Sequence, residues 1–245
     1  MKTKSLLAAF AAVVLTTIAT AQTALPGNPA EHGVSGTNTG PAAAGNGAPA
    51  LHRLSLERLQ QKNTKEAVEF AEQATKADPT KAEYFSQLGM ALGQRMGELN
   101  FMQQAMMSGK LKKAFEKSVE LDPNHVAGLI GMARFYTNAP EIAGGSFVKA
   151  EEFATRVQKL NPFLGELELA NIANKDEKYD EALTHYEAAA MLKSDHAGAQ
   201  HGCGRMLAKL GRKNEARTRF EAALKLNPDF EAAKKALAEL DQPAG

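Results

Sequence analysis

Four times in this chain an apparent helix runs into a proline through the same kind of tetrapeptide: "KADP", "ELDP", "KLNP" and "KLNP", ending at Pro79, Pro123, Pro162 and Pro228. The residue before a proline is pushed out of the α region, so each tetrapeptide reads as a helix stop. Twelve residues ahead of those prolines stand Ala67, Leu111, Ala150 and Ala216, with Ala71, Phe115, Ala154 and Phe220 four further on. One helical turn returns a small or apolar residue to the same face, so every copy presents a stripe to a neighbouring helix. A fifth copy, "YDEALTHYEAAAMLKSD", keeps Tyr179, Ala182, Tyr186 and Ala189 but has Ser194 where the proline would be. From Ala182 to Ala216 the separation is 34 residues.

That period belongs to stacked helix-turn-helix repeats. The stretch "HAGAQHGCGRMLAKLGRKNEARTRFEAALKLNPD" places Gly204, Ala216, Phe220, Ala223 and Pro228, and "YFSQLGMALG" places Leu88, Gly89 and Leu92. In these residues the chain closely resembles the tetratricopeptide-repeat family over roughly residues 50–240. The resemblance implies an all-α fold, a right-handed superhelix of stacked antiparallel helix pairs spanning 51–241, with about five repeats. The amphipathic "EAAKKALAEL" from Glu231 to Leu240 is expected to cap its open end.

Two units exceed the period. Pro79 to Pro123 spans 44 residues and Pro123 to Pro162 spans 39. The longer surplus, within residues 93–110, is "GQRMGELNFMQQAMMSGK", with Met96, Met102, Met106, Met107 and Phe101 in a methionine-rich patch. Apolar residues at helical spacing favour an inward role, the methionines filling the core of a lengthened pair. The alternative is an adaptable binding surface, which flexible thioethers suit. The shorter surplus is "NAPEIAGGS", containing Pro140, Ile142, Gly144 and Gly145. It is similar to a Pro-x-x-x-Gly-Gly element of exported bacterial tetratricopeptide proteins, a likeness that implies no activity. Pro140 is expected to stop one helix, both glycines to supply unusual dihedrals, and Ser146 to cap the next helix.

Chemistry finds little foothold. The double glycine has neither the G-x-x-x-x-G-K-[ST] nor the G-x-G-x-x-G spacing, and no strand precedes it. His196, His201 and Cys203 lack the convergent spacing of a zinc site, and His201 and Cys203 fall on different helix faces. No H-E-x-x-H or G-x-S-x-G occurs. The chain therefore reads as a non-enzyme with no catalytic residues, cofactor or metal.

In the tetratricopeptide family the first helix of each pair lines a concave groove, and the resemblance places His52, Gln94, Arg134, Asn138, Asn171, Asn174, Lys175, His201, Arg205 and Lys209 there. The later members are polar to basic, loosely similar to a clamp for a peptide carboxylate. A plain solvated helix face accounts for them equally.

Around this array, Lys2 and Lys4 precede an apolar run from Leu6 to Ile18 and an A-x-A site at Ala19-Thr20-Ala21, the pattern of a cleaved export signal over residues 1–21. Residues 22–50, dense in Gly, Pro and Ala, read as a disordered leader, and 242–245 as a short tail. Removing Lys2 and Lys4 leaves 27 basic against 28 acidic residues, without the basic excess of a nucleic-acid-binding chain. No second long apolar segment offers a membrane span in the mature chain. The lone Cys203 cannot form an internal disulfide, so an exported chain must rely on its core. The expectation is an interaction module, periplasmic or secreted, that holds a protein or extended peptide in its groove. The alternative is an assembly subunit docked on an envelope complex through residues 93–110.

Overall fold

A computed structural model describes residues 47–241. The export signal and residues 22–46 of the expected leader lie outside the described residues, as does the tail. Among the described residues the fold is all-α, eleven α-helices and one 3-10 turn with no strand, packed consecutively. The helices group into two compact units that divide after Ala143.

Unit 1 holds α1 (Ala48–Gln60), α2 (Thr64–Ala77), α3 (Ala82–Met96), α4 (Phe101–Leu121), α5 (Val126–Asn138) and the 3-10 turn Glu141–Ala143. α1 starts ahead of the expected boundary at Leu51, with Pro49 in its first turn, where a missing N–H costs nothing. Each helix packs on the next, and α3 also meets α1 and α5. A buried polar link ties the first three together: the Ser55 hydroxyl donates to the Ala67 carbonyl at 2.8 Å, and Gln87 Nε2 donates to Ser55 at 3.1 Å. The pair ties the register of these helices, although Gln87 Oε1 is buried without a partner and offsets part of that gain. Phe115 lies flat against Gly89 and Gly131, where an added Cβ would strike its ring.

Unit 2 holds α6 (Phe147–Leu160), α7 (Pro162–Lys175), α8 (Tyr179–Leu192), α9 (Ala197–Lys209), α10 (Lys213–Leu226) and α11 (Glu231–Leu240). Its core runs through Phe163, Leu167, Ala182, Tyr186, Cys203, Met206 and Phe220. α11 covers the last pair, with Ala233 buried and Ala236, Leu237 and Leu240 packed on that core.

The striped positions Ala67, Leu111, Ala150 and Ala216 and their partners Ala71, Phe115, Ala154 and Phe220 are all buried. The fifth copy does the same with Ala182, Tyr186 and Ala189. Helices end just ahead of Pro79, Pro123 and Pro228 as expected. Pro162 acts differently: it opens α7 from the first helical position, and Asn161 serves both as the last residue of one helix boundary and as the cap of the next.

Two expectations are corrected. Of the paired glycines only Gly144 takes a left-handed backbone, with φ of 90°, because one such residue suffices to reverse the chain between the 3-10 turn and Ser146. The Ser146 hydroxyl then accepts from Lys149 N, capping α6. The methionines divide: Met96, at the end of α3, is buried and fills the core as expected and Met107 is half-buried, whereas Met102 is 72% and Met106 77% exposed, and Phe101 beside them is 62% exposed. The added residues lengthen α4 to 21 residues against the 15 of α3, and the packing stripe of α4 has only Gln104 buried ahead of Leu111. Met102 and Met106 stand on the side of α4 opposite its buried Gln104, Leu111 and Phe115, so no neighbouring helix covers them.

Candidate functional site

The 34-residue period sets α7 and α9 in equivalent places, so Asn171 corresponds to Arg205 and Lys175 to Lys209. Lys175, Arg205 and Lys209 are exposed, and Asn171 and Asn174 half-buried. None of the three cations enters an ion pair among the described residues. Lys209 Nζ rests 5.7 Å from the centre of the Tyr179 ring, a cation–π contact that steadies the ammonium while leaving its donors open.

Tyr186 ties this row to the core. Its ring is buried on α8, and its hydroxyl donates to Asn171 Oδ1 at 2.7 Å. That bond fixes which way the Asn171 amide is turned and leaves both of its N–H donors for a ligand. Burial pushes the Tyr186 phenol up to about 12; the nearby Arg205 charge opposes that shift and buried Glu168 reinforces it. The hydroxyl therefore stays protonated and donating at neutral pH. The resulting face offers amide, ammonium and guanidinium donors from consecutive repeats, above a single buried carboxylate.

The other expected groove residues fare differently. His201 is half-buried between the rings of Phe220 and Phe230, at 5.5 and 5.0 Å, under the start of α11. Burial, with Arg205 beside it, lowers its imidazole to about 4. It is thus a neutral packing residue rather than a polar groove group. In unit 1, Arg134 is buried, and Asn138 Nδ2 donates back to the Arg134 carbonyl at 2.9 Å. Asn138 is taken up by its own helix, and Arg134 is enclosed because α5 is buried along most of its length. His52 is half-buried against Tyr84, and Gln94 is half-buried. Of the shorter surplus, Ile142 is fully exposed on the 3-10 turn and Pro140 half-buried.

Tyr186 was not among the expected site residues. A signal existed: the equivalent positions in two other copies are Phe115 and Phe220, so the tyrosine hydroxyl is an addition the packing stripe does not need.

Tetratricopeptide-repeat models match residues 48–81 and 173–240. No curated protein sequence matches the chain. Among solved structures, a thermophilic TPR protein of Thermus thermophilus superposes with a TM-score of 0.65 at 16% identity, over 79% of this chain and 98% of that one. Pseudomonas aeruginosa pilF gives 0.57 at 16% identity, over 79% and 88%. A MamA double mutant, RS-1, gives 0.53 at 17% identity, over 74% and 94%. At these identities the likeness is one of fold.

Proposed function

We propose that this chain, built of tetratricopeptide repeats, is a non-enzymatic interaction scaffold whose α7 and α9 hold an extended peptide or partner segment. Such repeats commonly serve to bind other proteins. The carrying observation is the repeated donor row, Asn171 and Lys175 in one repeat and Arg205 and Lys209 in the next, with the Asn171 amide oriented by its bond from Tyr186. Donors spaced by a rigid array suit a chain rich in acceptors, namely peptide carbonyls and a carboxylate, because preformed groups need no ordering on binding. The export pattern in residues 1–21 supports a site of action in the periplasm or outside the cell. Arg205→Glu combined with Lys209→Glu should abolish capture of partners from a periplasmic or extracellular extract while helicity by circular dichroism is kept. Unchanged capture removes the reading.

A second reading, docking onto an envelope complex through residues 93–110, is favoured by the exposure of Phe101, Met102 and Met106. Met102→Gln with Met106→Gln should then release the protein from its complex, with helicity unchanged. Retention in the complex removes it.

A further inference from the structure

The outer side of α4 carries more than exposed methionines. Met102, Met106, Lys110 and Lys113 recur at spacings of four, four and three, which keep them on one side of the helix. Lys112 is occupied by Glu116 at 2.9 Å, whereas no ion pair engages Lys110 or Lys113 among the described residues. Beside these two lysines a depression of about 280 Å³ opens between α2, α3 and α4, walled by Phe85, Leu88, Leu92 and Ala114. Glu72 of α2 also lines it. The volume lies below the range of roughly 300–1,000 Å³ that encloses a whole small ligand, and suits one anchoring side chain of a larger partner.

We propose that this face docks an acidic amphipathic segment of a partner protein, an assignment that rests on the second reading above and gives that partner its chemistry. One bulky apolar side chain enters the depression, carboxylates lie over Lys110 and Lys113, and neighbouring apolar residues spread on Met102 and Met106, whose thioethers adapt to the shape they meet. A neutral or basic residue faces Glu72. The occupant is a protein segment rather than an anionic membrane because the apolar surface is recessed as well as projecting, and Glu72 repels a uniformly negative plane.

The test uses the full chain and two labelled synthetic helices, one of Leu, Phe and Glu and its counterpart with Lys for Glu, followed by fluorescence anisotropy. The acidic peptide should bind, and the basic one should not. Lys110→Glu with Lys113→Glu should weaken the acidic peptide by about tenfold or more and admit the basic one, while Met102→Ser with Met106→Ser should weaken the acidic peptide comparably. Equal affinity for both peptides overturns the proposal. Binding that falls with the methionine pair but ignores the lysine pair leaves the docking reading standing and overturns the acidic partner; binding indifferent to both pairs overturns both. Lysine-dependent sedimentation with phosphatidylglycerol vesicles in the absence of peptide binding, or self-association lost in the same variants, assigns the face to lipid or to a second copy and equally overturns it.

Discussion

Tyr186 and His201 show how far single residues depart from the roles their positions suggest. Tyr186 stands where Phe115 and Phe220 stand in other copies, yet its hydroxyl sets the donor character of Asn171. Its ring also leaves no room at Gly202, where an added Cβ would overlap it, so the close approach of α8 and α9 depends on glycine there. His201 sits at a polar position of the repeat but is held neutral between two phenylalanines. Its folded pKa of about 4 lies below the ordinary value of 6.5. His52, His125 and His196 are lowered in the same direction, each chiefly by burial. The unfolded chain thus binds more protons than the folded one between these limits, so stability is full above about pH 6.5 and falls as the pH drops toward 4. Urea midpoints at pH 7.5 and pH 4.5 should show the loss (chosen as about one unit outside and half a unit inside that window). His201→Phe should shrink the difference between them.

At the scale of the element, what was legible in the sequence was what depends on a helix alone. The stops, the striped faces and the capping helix at Glu231–Leu240 all follow from dihedral preference and period, and the structure has them. α4 was misread because periodicity shows that apolar residues share a face without showing whether another helix lies opposite. Met102 and Met106 do share a face, but it is turned away from the buried Gln104, Leu111 and Phe115 and no helix lies against it. The junction at Asn161 was equally hidden. This one residue ends α6 and caps α7, its Oδ1 accepting from Leu164 N at 3.1 Å. Loss of a cap of this type costs about 1 kcal/mol. Asn161→Ala is therefore expected to lower stability by roughly that amount in urea unfolding and to speed amide exchange at Leu164. An unchanged exchange rate would show that the cap contributes nothing.

Across the whole molecule, the chain forms two units, each closing a core of its own around the division after Ala143. Fragments 47–143 and 144–241 should accordingly each give a helical circular dichroism spectrum and a cooperative thermal transition when expressed alone. A fragment without a transition would show that its core needs the other. The sequence by itself determined the repeating helical units, their boundaries and their buried stripes, since these rest on interactions within about one turn or between adjacent repeats. Only the tertiary structure decided which polar and apolar residues remain available: Arg134 and His201 are taken up, Asn171 is turned into a donor, and Met102, Met106, Lys110 and Lys113 are left outside. Exposure is set by whatever neighbour packing brings alongside, and a side chain's own position in the repeat does not carry that information.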